Sequence, residues 1–303
     1  QPATPAHQIG RRRIGTRLSR VLRLLSGDPL ALVAVIFLVV LTGLAVFGTP
    51  GLEQDALRIN LRARNAVPFT VEKGPLYVLG SDSLGRSMVA RLIVASTTTL
   101  AIASSAVVLS MVFGVLLGMV AGFYSGWVSI LILRITDMVM SFPSLLMAVI
   151  VLYMLDPHPV NVVLVLGITR MPVYVRVTRA EVLEVRERTF VSAAEACGAT
   201  DLRIVLLHIL PVVLPTIFTV AALDFANVML NESALSFLGI GVQPPAVTWG
   251  LMVAQGRRYL TQAWWLAAFP GLAIMFTTLS ANLFSNWIRF VSDPLLRSTL
   301  EKK

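Results

Sequence analysis

Residues 92–133 read LIVASTTTLAIASSAVVLSMVFGVLLGMVAGFYSGWVSILIL, a run of 42 residues without a charged side chain. A helix needs only ~20 apolar residues to cross a bilayer, so this run is too long for one span. Its break lies at Gly122-Phe-Tyr-Ser-Gly126, where two glycines permit a tight turn. Tyr124 and Trp127 are residue types that favour the membrane–water interface. The run therefore predicts two consecutive spans, over residues 97–121 and 128–153.

The composition of the whole chain is that of a membrane protein. Of its 303 residues, 56% are hydrophobic and 14% are charged, whereas a soluble domain carries about 25% charged residues. The net charge of +9 does not indicate nucleic-acid binding, because the basic residues lie between apolar runs and not on one soluble face. The predicted fold class is an all-α integral membrane protein.

Further apolar runs complete the predicted topology of six spans. We predict a cytoplasmic tail over residues 1–28, in which residues 11–25 form an amphipathic helix on the inner membrane surface. With both termini cytoplasmic, most of the basic residues fall on the inner side. A transmembrane domain over residues 29–303 then contains spans at 30–49, 97–121, 128–153, 160–177, 209–230 and 264–290, an external loop at 50–91, a cytoplasmic loop at 178–208 and an external or re-entrant loop at 231–262.

Sequence motifs for catalysis or nucleotide binding do not occur in the chain. It contains no G-x-x-x-x-G-K-[ST] phosphate loop, no G-x-S-x-G elbow and no H-E-x-x-H helix. The single cysteine, Cys197, and three widely separated histidines lack the spacing of metal ligands. We therefore expect a non-catalytic chain without a metal or cofactor of its own.

Several polar residues fall inside predicted spans, where a charge is costly and is a functional candidate by default. Asp137 lies in the third span and has Arg134 three residues away, so a local ion pair is the plainer interpretation. Asp224 has no basic residue near it in sequence. A carboxylate lining a pathway is suited to meet a peptide's amino terminus. The candidate pathway-lining residues are Asp137, Asp224, Asn227 and Glu232.

The loop at 178–208 is long for a connection between spans and is predicted to be cytoplasmic. Its periodicity predicts two short helices broken near Gly198. Small residues around Ala193 let a helix approach a partner closely, and Pro211 is suited to the start of the next helix. These features alone predict a segment that docks on a soluble partner.

This loop resembles the EAA loop of ABC importer permeases, whose motif reads E-A-A-x3-G-x9-I-x-L-P. The matching residues are Ala193, Ala194, Gly198, Leu210 and Pro211, while Ser192 replaces the glutamate and His208 replaces the isoleucine.

Six other stretches are similar to the C-type permease of the dipeptide, oligopeptide and nickel importers, and the resemblance covers residues 26–295. In that family's LGTDxLGRD segment, Ser87 here replaces the last aspartate. The stretches are Leu79-Gly-Ser-Asp-Ser-Leu-Gly-Arg86, Gly122-Phe-Tyr-Ser-Gly-Trp127, Ser141-Phe-Pro143, the segment from Asn231 to Pro245 with Trp249-Gly250, Phe269-Pro-Gly271 and Asp293-Pro294.

The resemblance implies a type I ABC importer permease in a bacterial inner membrane, with di- or oligopeptides as cargo and haem or nickel as related cargo. It implies a second, B-type permease, cytoplasmic ATPase subunits that bind ATP and Mg²⁺, and an external substrate-binding protein. The residues it assigns to ATPase coupling are Ser192, Ala193, Ala194, Glu195, Gly198, Asp201, Arg203, His208, Leu210 and Pro211.

Two other classes of protein remain as alternatives. A secondary transporter or channel driven by an ion gradient explains six spans and intramembrane carboxylates but leaves the loop at 178–208 without a role. An intramembrane enzyme would use Asp137, Asp224 or Glu232 as its catalytic group.

Overall fold

The computed structural model describes residues 25–69 and 74–292, and these residues form helices with no β-strand among them. The predicted amphipathic helix at 11–25 lies almost wholly outside the described residues, as does the Asp293-Pro294 motif. The helices are α1 (Pro29–Gly43), α2 (Thr49–Leu57), α3 (Met88–Phe123), α4 (Trp127–Met140), α5 (Ser144–Met154), α6 (Pro159–Arg186), α7 (Thr189–Ala196), α8 (Asp201–Arg203), α9 (Leu210–Phe237), α10 (Trp249–Gly256) and α11 (Trp265–Ser292).

Five continuous helical segments in the described part of the chain are long and apolar enough to cross a membrane. A π-helical turn joins α1 to α2, and a second one joins α8 to α9. The pair α4 and α5 meets the same criteria together, which gives a sixth candidate span if the bent pair counts as one. The five segments are Pro29–Leu57, Met88–Phe123, Pro159–Arg186, Asp201–Phe237 and Trp265–Val291.

Several helices extend beyond the predicted membrane spans, because charged residues do not end a helix. The helix predicted to begin at residue 97 begins at Met88, where the Ser87 hydroxyl caps it by accepting from the Ala90 N–H at 3.2 Å. Helix α6 continues past residue 177 to Arg186 through glutamates and arginines, which are good helix formers. The predicted loop at 178–208 is therefore largely helical, and its non-helical backbone is short.

The third predicted span, 128–153, is not one continuous helix. Helices α4 and α5 are bent by 84° at Ser141-Phe142-Pro143. Pro143 lacks an N–H and disfavours helical backbone at the residue before it, which explains why the helix stops there. This break was not predicted from the sequence, because residues 128–153 are apolar throughout most of their length and only Pro143 signals it.

Helices α3 and α6 form the most extensive helix–helix contact of the described residues. Gly114, Gly118 and Gly122, each four residues apart, lie where α3 meets α6. A Cβ on Gly118 would lie 2.6 Å from the Thr178 Cβ and 2.8 Å from the Val175 carbonyl oxygen. Small residues at this spacing let two backbones touch, which is how membrane helices gain packing energy without a hydrophobic effect between them.

The outer end of the bundle is tied together through buried tryptophans. The Trp249 indole N–H donates to the Leu92 carbonyl at 3.0 Å, and the Trp249 backbone N–H donates to the Thr99 hydroxyl at 3.1 Å. The Trp265 indole N–H donates to the Ser81 carbonyl at 3.2 Å. These bonds join α10 to α3 and the start of α11 to the outer loop, so the segments outside the spans are part of the folded core.

We expect Gly118→Ala to destabilise the fold, because its methyl group meets backbone and Cβ atoms that cannot rotate away. Overpacking of this kind costs about 1–3 kcal/mol, measurable as a lower thermal unfolding midpoint of the detergent-solubilised chain. The matched control is Gly43→Ala, also in a helix, where an added Cβ meets nothing within 4 Å. Equal midpoints for the two variants would contradict the close contact.

Candidate docking loop and intramembrane charges

The loop between α6 and α9 contains a helix with a well-defined end. Helix α7 is closed by bonds from the Gly198 N–H to the Glu195 carbonyl at 2.9 Å and from the Ala199 N–H to the Ala194 carbonyl at 3.1 Å. This is the Schellman arrangement, in which the residue after the cap adopts left-handed backbone. Gly198 does so, with φ of +79°. The predicted break near Gly198 is thus a helix cap that requires glycine.

One face of the loop is anchored in the protein interior. Val191 of α7 is buried together with Ile204 and Ile209 of the π-helical turn that precedes α9. They pack in one cluster with Val182 and Val185 at the end of α6. Because such an interior is close-packed, a displacement of α7 also moves the ends of α6 and α9.

Exposed apolar residues lie on the loop beside exposed charged residues such as Glu195, Asp201 and Arg203. We call the exposed apolar and small residues Phe190, Ala193, Ala196, Gly198, Leu202 and Leu207 the docking face. Leu202 is 68% and Leu207 64% exposed. Of the residues assigned to coupling, Ser192, Ala193, Glu195, Gly198, Asp201, Arg203 and Pro211 are exposed, and Ala194, His208 and Leu210 are half-buried.

The second predicted short helix corresponds to α8, which continues through the π-helical turn into α9. Asp201 begins a helical segment that continues to Phe237 without a break. The π-helical turn Ile204–Ile209 ends two residues before Pro211. Proline removes one helical hydrogen bond and crowds the carbonyl four residues earlier, so a locally widened turn accommodates it. Pro211 thus marks an irregularity within one long helix instead of the start of a new one.

Asp224 forms an ion pair with an arginine that is distant in the sequence. Arg170 of α6 donates to the Asp224 carboxylate through Nε at 2.6 Å and also through Nη2. The Tyr174 hydroxyl donates to the other carboxylate oxygen at 3.2 Å. Asp224 is 2% exposed. The pair links α6 to α9 inside the bundle, so Asp224 has a structural partner 54 residues away along the chain.

Asp137 pairs with a different helix from the one expected. Its carboxylate accepts from Arg176 Nη2 at 2.7 Å, and both side chains are 49% exposed. The predicted local pair with Arg134 was therefore wrong. The partner on α6 is reached because α4 packs against α6, which sequence spacing does not reveal.

The other two candidate pathway residues differ sharply in exposure. Glu232 is fully buried, and its carboxylate accepts from the Ser236 hydroxyl at 2.8 Å. Asn227 is exposed and donates to the Leu223 carbonyl at 3.2 Å. Asp224 and Glu232 thus lie in the chain's own interior, while Asp137 and Asn227 reach its surface. Lining of a pathway stays a prediction for the two exposed residues.

A charged cluster near the outer end was not recognised in the sequence as a structural site. The Asp82 carboxylate accepts from the Leu84 and Arg86 backbone N–H groups at 2.9 Å, from Arg86 Nε at 2.7 Å and from Arg91 Nη1 at 3.0 Å. Arg91 is buried and also donates to Gln255 of α10 at 3.1 Å. The aspartate and arginine of the LGSDSLGR stretch are therefore explained by local folding.

Comparisons with known proteins agree with this architecture. Residues 114–298 match the family described as Binding-protein-dependent transport system inner membrane component. The di/tripeptide transport system permease protein DppC of Pseudomonas aeruginosa is 40% identical over 222 residues, 73% of each chain. The probable D,D-dipeptide transport system permease protein DdpC of Escherichia coli is 34% identical over 276 residues, 91% of each chain.

The fold has a counterpart among solved structures. A chain of the MetNI methionine ABC transporter in inward-facing conformations superposes with a TM-score of 0.52 at 18% identity, covering 70% of this chain and 97% of that one. At this identity the likeness concerns the fold alone. The predicted all-helical importer-permease fold is confirmed.

We expect Asp224→Asn to lower stability strongly, because it leaves the Arg170 guanidinium without its counter-charge between α6 and α9. Breaking a buried pair by removing one partner costs about 3–5 kcal/mol, whereas replacing both partners with apolar residues costs much less. The double variant Arg170→Met with Asp224→Leu is thus the control. Unfolding midpoints in detergent measure both, and a single variant as stable as the wild type would refute the structural role.

Proposed function

Since the chain belongs to the binding-protein-dependent transport system inner membrane component family, we propose that it is the permease subunit of an ATP-driven importer of di- or oligopeptides. The family description agrees with the predicted inner-membrane location. The cargo class is supported by the names of its relatives, which are transport permeases for dipeptides and tripeptides. As a permease, the chain forms half of the translocation pathway and leaves ATP hydrolysis to its partners.

The observation that carries this proposal is the docking face, which lies on α7, α8 and the turns that follow them. Helix α6 has 28 residues, so at about 1.5 Å per residue it is ~42 Å long and exceeds a hydrocarbon core of ~30 Å. The loop that follows it therefore projects beyond the membrane. Apolar residues exposed there, such as Leu202 and Leu207, are typical of a surface that a protein partner covers.

The partner best suited to this face is a cytoplasmic ATPase subunit. The chain has no phosphate-binding loop of its own, so ATP and Mg²⁺ would be held by that subunit. A displacement of α7 by the ATPase would be transmitted to the helix bundle through Val191, which packs in the cluster at the ends of α6 and α9. The same two helices meet again at the Arg170–Asp224 pair. A rigid loop joined to two spans is a suitable element for transmitting closure of the ATPases.

The remaining components follow from the same assignment. A second, B-type permease would supply the other half of the pathway, and an external binding protein would deliver the peptide. A transporter driven by an ion gradient is the weaker alternative, because it requires no partner for an anchored, exposed, apolar loop. Likewise, the intramembrane carboxylates give little support to an enzyme, since Asp224 is occupied by an ion pair.

Uptake by the reconstituted complex tests the proposal directly. The two permeases, the ATPases and the binding protein are assembled in proteoliposomes with a labelled dipeptide or tripeptide. We expect accumulation that requires MgATP and the binding protein and that persists when ion gradients are dissipated. Uptake that depends on a proton or sodium gradient, with no need for ATP, would favour the secondary transporter instead.

We expect Gly198→Arg to leave the chain in the membrane but to detach or uncouple the ATPase. In the isolated chain an added Cβ at Gly198 meets nothing within 4 Å, so we expect the arginine to extend from the surface and obstruct a docked partner. Both Arg and Ala bear the same left-handed backbone strain, roughly 1–2 kcal/mol, which makes Gly198→Ala the matched control. Co-purification of the ATPase and transport per ATP hydrolysed are measured.

The comparison of these two variants separates docking from folding. If Gly198→Ala retains the ATPase and Gly198→Arg loses it, bulk on the docking face is responsible. Full transport by Gly198→Arg would contradict the assignment of this face.

A further inference from the structure

The surface shared by α4 and α6 carries two charges that lie within candidate membrane-spanning helices and that their mutual ion pair does not bury. Asp137 and Arg176 bond to each other, yet both remain 49% exposed. Asp137 lies ten residues from Trp127 at the start of α4, and Arg176 lies ten residues from Arg186 at the end of α6. Each is therefore about 15 Å along its helix from the end next to the docking loop. Two charged side chains at this distance from the helix ends are therefore half-exposed.

Lipid cannot be what surrounds this surface. A charge facing the bilayer centre is strongly unfavourable, and such residues in membrane proteins face a protein interior or a water-filled cavity. The break at Ser141-Phe142-Pro143 lies one turn beyond Asp137 and is exposed as well. Non-helical backbone at membrane depth is tolerated only where protein or water satisfies its polar groups. Both features are unfavourable in contact with lipid and are expected to face protein or water.

A cavity of about 200 Å³ adjoins the break. Phe142, Ser144 and Met147 line it on one side and Thr169, Arg170 and Pro172 on the other. Pro172 inside α6 leaves the Ile168 carbonyl without its usual helical donor. The cavity and the Asp137–Arg176 pair thus both lie where α4, the break and α6 meet. We call this partly polar, partly exposed surface the strip.

On the premise that the chain imports peptides, we propose that this strip faces the translocation pathway and that Arg176 and Asp137 contact the charged termini of the passing peptide. A peptide zwitterion carries a carboxylate that pairs with arginine and an ammonium that pairs with aspartate. The ion pair opens as the peptide enters. Arg176 then pairs with the peptide carboxylate and Asp137 with the peptide ammonium group, in place of each other. No charge is left uncompensated at membrane depth, which keeps the exchange energetically balanced.

Water access to the strip is the first test, made with Ser141→Cys in the complete reconstituted complex. A positively charged, membrane-impermeant thiol reagent reacts with a thiolate that water reaches, and peptide mapping separates the new site from Cys197. The control is Val39→Cys on α1, whose side chain is 65% exposed in an apolar groove. We expect labelling of residue 141, modulated by ATP, and none of residue 39. Residue 141 unlabelled with and without ATP would mean that the second permease covers the strip, and would overturn the proposal.

Charge removal is the second test. In Arg176→Gln and Asp137→Asn we expect peptide uptake to fall about tenfold, the loss of one charge-assisted hydrogen bond in transit. ATPase activity stimulated by the loaded binding protein is expected to persist, and so is the unfolding midpoint. Unchanged uptake in both variants, or a joint loss of stability and ATPase activity, would show that the pair is not a cargo contact.

These outcomes are distinguishable from failure of the proposed function. If the wild-type complex shows no ATP-dependent peptide uptake, the premise itself fails. If the wild type transports and only the two tests above fail, the chain is an importer whose cargo contacts lie elsewhere.

Discussion

Close backbone contact between α3 and α6 is the interaction on which the rest of the structure depends. Within a bilayer the hydrophobic effect does not draw helices together, so packing and polar bonds must do so. Gly114, Gly118 and Gly122 remove the side chains that would keep the two helices apart. The contact fixes α6, and α6 in turn carries the partners of both intramembrane aspartates, Arg170 and Arg176.

The two ion pairs of α6 differ in how far the chain encloses them. The carboxylate of Asp224 is enclosed, bonded to an arginine and a tyrosine, and joins α6 to α9. Asp137 and Arg176 form a similar bond but stay half-exposed beside a broken helix. A charge that lipid cannot solvate and the chain does not enclose needs water or a ligand. The same residue types thus serve different purposes according to which face of α6 they occupy.

The docking loop and the intramembrane charges are connected through the same helices. Val191 anchors α7 to the ends of α6 and α9, and these helices meet again at the Arg170–Asp224 pair. Through these contacts the loop is joined to the same helix, α6, that carries the arginines of both ion pairs.

The sequence by itself determined the membrane class, the all-helical fold and, through its motifs, the family, because these depend on composition and local order along the chain. Gly198 was recognised because a helix cap is a local event. Only the tertiary structure decided that Asp137 pairs with Arg176, that Asp224 pairs with Arg170, and that Asp82 organises the outer loop. These partners lie on different helices or across a folded loop, and hydrophobic periodicity carries no information about which polar faces meet.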